Sequence, residues 1–137
     1  MRSPRSLSVL GLSLALSLAF AQKAAAPKVL TVDDLLKAAK TYDQKEVKVS
    51  GKIDRLDLKT SKKGNKYTTL SLVGKDPKKF VKVYMKGHPD AKLKLAKGKM
   101  ITAFGKYAVE KKLGDSIFKN EIDASKVDGK KYGITAN

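Results

Sequence analysis

Val47-Lys48-Val49-Ser50-Gly51-Lys52-Ile53 alternates apolar and polar residues with a period of two. That period predicts a strand with one face against a core and the other in water. Gly51 inside it predicts a bulge or sharp bend of the kind that lets a strand curl. Beyond it, Leu56 and Leu58 carry on the apolar face after a change of phase. Thr60 to Asn65 is polar and contains Gly64, which predicts a hairpin loop.

Further along, the same reading gives four more strands. Lys66 to Val73 places Thr68, Leu70 and Leu72 inward, and Phe80 to Met85 places Val81, Val83 and Met85 inward. Gly87 to Gly98 follows no period and is left between a short helix and an irregular crossing. Lys99 to Val109 has Ile101 and Ala103 inward with a second interior glycine, Gly105; a loop is expected at Lys111 to Asp115 and a fifth strand at Ser116 to Ala124. The tail, 128–137, holds two glycines and little apolar content, and is expected to fray.

Before the quoted stretch, Thr31-Val32-Asp33-Asp34 resembles a capping box. Val32, Leu35, Leu36 and Ala39 follow at helical spacing, so one short helix of about ten residues is expected, closed by Tyr42-Asp43. Residues 22–29 read as a flexible leader. Arg2 and Arg5, the apolar run Leu7 to Phe20 and the small residues of Ala19-Phe20-Ala21 form the three regions of an export signal, with cleavage after residue 21. About 14 apolar residues fall short of the ~20 that span a bilayer. The expectation is therefore an exported chain, periplasmic or secreted, that does not span a membrane, with one domain at 30–127.

Composition narrows the chemistry. Without Arg2 and Arg5 the chain keeps 28 basic and 13 acidic residues, a formal charge of +15, and Arg55 is the one arginine among them. Lysines are hydrated point charges, suited to general attraction to polyanions rather than bidentate recognition. There is no cysteine, and His88 is the one histidine. Disulfides, thiolate–metal sites and nucleophile–base constellations are not available, so neither a cofactor nor a metal is expected.

Taken with the strands, Val47 to Ile53 and Leu95-Ala96-Lys97-Gly98-Lys99-Met100-Ile101-Thr102-Ala103-Phe104-Gly105-Lys106-Tyr107 resemble the first and fourth strands of the OB-fold. Asn65 to Leu72 is similar to its second strand. The resemblance covers residues 30–127 and implies an all-β domain with one short N-terminal helix, a five-stranded Greek-key barrel. Two kinds of OB-fold protein compare well: exported bacterial proteins related to stress, and nucleic-acid-binding domains. OB-fold nucleases use carboxylates for a cation and arginines on the scissile phosphate, a set this chain does not match, so a binding protein is expected rather than an enzyme.

In OB-folds that bind oligonucleotides the ligand crosses strands two and three, between two flanking loops. Alternation then points Tyr67 outward on strand two, and Phe80, Lys82 and Tyr84 outward on strand three. Lys66 lies beside them, Lys62 and Lys63 in one flanking loop and Lys111 in the other. Aromatics among lysines suit single-stranded nucleic acid of any sequence, the rings stacking on bases and the lysines following phosphates. Two other readings stand beside this one. The lysines could hold an anionic envelope polymer or lipid head groups, or the chain could be a stress-related periplasmic interaction module.

Overall fold

The computed structural model describes residues 28–137; the expected export signal and most of the leader lie outside the described residues. Seven strands, two short α-helices and one 3-10 turn occur in the order β1 (Val29–Thr31), α1 (Val32–Lys37), α2 (Ala39–Tyr42), β2 (Glu46–Thr60), β3 (Lys66–Val73), β4 (Phe80–Lys86), the 3-10 turn (Ala91–Leu93) within an otherwise irregular crossing, β5 (Met100–Leu113), β6 (Ser116–Asp123) and β7 (Gly133–Ala136). They form one sheet, ordered β1-β2-β3-β4-β6-β5-β7, with an added pairing of β2 to β5. That pairing joins the ends of the run from β2 to β5 into a partly closed ring.

The curl is written into β2. Its first half, Glu46 to Lys52, pairs antiparallel with β5, and its second half, Lys52 to Thr60, pairs with β3. The strand thus passes from one side of the ring to the other at Lys52. The register shifts between Ile53 and Arg55, so the bulge lies two to three residues beyond Gly51, where the sequence reading put it. There Ile53 bonds by its backbone to Gly98 and Lys99 of the irregular crossing. Gly51 serves packing instead: a Cβ on it would lie 2.8 Å from Val32 Cγ2 and 3.2 Å from Leu72 Cβ. The absent side chain lets α1 close down on the sheet. Gly105 is tighter still, since a Cβ there would meet the Asp123 carbonyl oxygen at 2.1 Å.

Alternation sorts the core as expected. Val47, Val49, Ile53, Leu70, Leu72, Val81, Val83, Ile101, Ala103 and Ile122 are buried, with Val32 and Leu35 from α1 over one end. Burying each such side chain contributes roughly 1.5–3 kcal/mol. Leu56 packs against this cluster, but Leu58, two residues nearer the β2–β3 turn, stays exposed and does not continue the apolar face. Tyr107 is fully buried, which alternation along β5 required, and its hydroxyl donates to Asn120 Oδ1 at 2.6 Å.

Four expectations need correcting. The single helix is two, broken at Ala38 (φ −118°, ψ 36°), although Thr31 Oγ1 caps it at Asp34 N (3.0 Å) as expected. The leader is not wholly outside the sheet, since Val29 pairs with Lys48 in β1. Residues 111–113 are strand rather than loop, and the β5–β6 turn is confined to Gly114-Asp115. The tail is not wholly outside the sheet: Gly133 to Ala136 pairs with Ile101 to Phe104, and Ile134 is buried. No helix among the described residues is long and apolar enough to cross a membrane.

Candidate functional site

β3 and β4 pair in unbroken register, so residues of one parity share an outer face: Tyr67 opposite Lys86, Thr69 opposite Tyr84 and Ser71 opposite Lys82, whereas Val73, opposite Phe80, is buried. The pairing continues to β2, where Lys59 lies opposite Tyr67, Asp57 opposite Thr69 and Arg55 opposite Ser71. Tyr67 and Tyr84 are diagonal neighbours, their ring centroids 6.0 Å apart at 36°. Both are half-buried, which leaves ring surface open to solvent.

Tyr67 therefore has a lysine directly across on each side, Lys59 and Lys86. Lys59 belongs to β2, not to the turn that follows it, and the alternation that places Lys82 and Tyr84 outward extends to Lys86. Lys66 is exposed at the start of β3. Lys62 and Lys63 are exposed in the β2–β3 turn, which Ser61 ties down by bonds to Gly64 N and Asn65 N. Phe80 is exposed at the start of β4, four residues from Tyr84 and so about 13 Å along the strand. It belongs to neither aromatic pair, so it stands apart from the tyrosines it was grouped with.

Lys111 is placed differently from expectation. Its ammonium sits 3.7 Å from Glu121 Oε1 and 3.9 Å from Asp123 Oδ2, and 5.7 Å from the centre of the Tyr84 ring. It lies beside a carboxylate pair on β6 and is only partly exposed to solvent. Lys82 is in register with Glu121 and Tyr84 with Asp123, so this acidic pair borders the tyrosine face. Glu121 is buried, and burial pushes its carboxyl above the usual range; Lys111 acts against that and Asp123 with it. The Tyr84 hydroxyl is likewise raised, first by desolvation and then by Asp123 and Glu121. Tyr84 thus stays a neutral ring at physiological pH.

Arg55 is bound to Asp57 (2.9 Å) on the solvent side of β2. His88 is exposed, with Nε2 3.3 Å from the Lys59 carbonyl, which it meets as a donor in the Nε2–H tautomer. Among the described residues no three His, Cys, Asp or Glu side chains gather as a metal site would require.

A second cluster lies where β7 joins the sheet. The Tyr132 hydroxyl donates to Glu46 Oε2 at 2.6 Å, Lys130 pairs with the same oxygen at 2.8 Å, and Tyr132 packs edge-on against Phe104 at 5.3 Å. Those two hydrogen bonds, Lys130 first, hold the Glu46 carboxyl below its usual range. Desolvation and the Glu46 bond push the Tyr132 hydroxyl up to about 12. The tail's low apolar content hid this anchor, which rests on one ion pair, one hydroxyl and one ring.

Comparison of the chain with protein-family models and with curated proteins found no match.

Proposed function

We propose that the chain is an exported five-stranded OB-fold barrel, extended by β1 and β7, that binds single-stranded nucleic acid with little sequence preference. The observation that carries this reading is the Tyr67–Tyr84 pair, two rings 6.0 Å apart on an outer sheet face, with Lys59 and Lys86 directly across from Tyr67. Aromatic faces take any base, and lysines follow the backbone without reading sequence. Tyr67 and Tyr84 stack on bases; Lys62, Lys63, Lys66, Lys82 and Lys86 contact phosphates. Lys111 keeps the bordering carboxylates from repelling the strand, a supporting role in place of a phosphate contact. Phe80 is a further stacking position at the far end of the face.

The closure of β2 onto β5 supports the barrel, and the sequence of residues 1–21 supports export. The protein binds and does not catalyse in this reading, and Arg55 is engaged by Asp57.

Five phosphates neutralised on a single strand give a slope of log K against log salt of about −0.7 × 5, or about −3.5. Fluorescence anisotropy of a labelled oligothymidylate, titrated between about 50 and about 200 mM salt, measures it. No binding at the lower salt sinks the proposal. Equal displacement by a anionic wall polymer or lipopolysaccharide would point instead to an envelope ligand.

A further inference from the structure

Next to the tyrosine face is a groove of about 1120 Å³. The end of β4 and the start of the irregular crossing form one side of it, through Lys86 and His88. β5, the segment that follows β6 and the tail form the other, through Phe104, Lys126, Lys131 and Tyr132. Lys48 adds a cation from β2 and sits 5.4 Å over the Phe104 ring. Among the described residues, Lys48, Lys86, Lys126 and Lys131 have no carboxylate in ion-pair range, whereas Lys130 is taken by Glu46. Two acids also line the groove. Glu46 is held by Lys130 and Tyr132, and Asp90 accepts from Lys92 N at 2.9 Å. The groove thus offers four ammonium groups without an ion-pair partner, one neutralised carboxylate, the Asp90 carboxylate at its edge and an aromatic wall.

It is also continuous with the face described above. Lys86 lines the groove and stands directly across from Tyr67; His88 lines it too and reaches the Lys59 carbonyl on the other side of Tyr67. We propose that a single strand bound on the β3–β4 face runs past Lys86 into this groove, where Lys48, Lys126 and Lys131 hold further phosphates beside Phe104 and Tyr132. The inference rests on the reading of the tyrosine face as a nucleic-acid site, and adds that the docked tail builds the second half of the track. Free cations and an aromatic wall favour a nucleic-acid strand here over a peptide, whose backbone carries no regular charge.

The test compares oligothymidylates of about 4 and about 16 nucleotides, the ends of the range of site sizes for one OB-fold. Salt slopes are measured for the wild type, for Lys48→Gln/Lys126→Gln/Lys131→Gln, and for a control triple Lys28→Gln/Lys37→Gln/Lys40→Gln of equal charge loss. The groove triple is expected to flatten the slope for the long oligonucleotide by about 2, from about 0.7 per lost phosphate contact. It should leave the short one unchanged, and the control triple should flatten the long slope less. A groove triple no different from the control, with wild-type binding intact, overturns the longer track alone. Failure of the wild type to bind either oligonucleotide overturns the tyrosine-face reading, and the track with it.

Discussion

At Glu121, burial and charge pull in opposite directions: desolvation raises the carboxyl while Lys111, 3.7 Å away, lowers it, and burial prevails. A carboxyl whose folded pKa exceeds its unfolded value binds more protons in the folded state. Its contribution to stability is therefore full below the ordinary value of 4.5 and is lost as pH rises through the folded value. Urea unfolding of the wild type and Glu121→Gln across that window should show the wild type losing stability relative to the variant as pH rises. A constant difference would mean that Glu121 titrates normally. The residue scale also marks where alternation stops informing. It fixed which side of the sheet Tyr67, Lys82 and Tyr84 occupy, since side follows from parity alone. It could not show that Lys111 is occupied, because its partners Glu121 and Asp123 come from another strand. Lys86 was legible by the same parity and was passed over only because the strand was ended at Met85.

Among the elements, those with long periodic segments were read from the residues: the core strands, the Thr31 cap and the turn at Ser61–Asn65. The elements missed are short and held from a distance. β7 has four residues, one of them glycine, too few for a period to show, and it is held by β5 and by Tyr132 just before it, which bonds to Glu46 and packs on Phe104. The bulge falls beyond Gly51 because Gly51 answers to α1 packing, while the change of pairing partner occurs after Lys52. The docked tail has a direct consequence. Truncating buried Ile134 to Ala should cost about 2 kcal/mol, the lower end for an isoleucine in a core. Chemical denaturation reads this; a change within about 0.5 kcal/mol, usual for exposed positions, would show a tail that contributes nothing.

For the whole molecule, an excess of lysine over acid says that polyanions are attracted and not where they bind. In the proposed reading the location is the face of β3 and β4 that collects Tyr67, Tyr84 and their flanking lysines. Acids border that face, yet each is engaged: Glu121 and Asp123 by Lys111, Asp57 by Arg55. The central claim is that stacking on the two tyrosines, and not net charge alone, holds a single strand. Affinity for an oligothymidylate, measured side by side for the wild type and Tyr67→Ala/Tyr84→Ala at one salt concentration, tests it most directly. Each lost stacking platform should cost about 1–3 kcal/mol, with the salt slope unchanged because no cation is removed. A double variant that binds as tightly as the wild type would contradict the account and leave only electrostatic attraction.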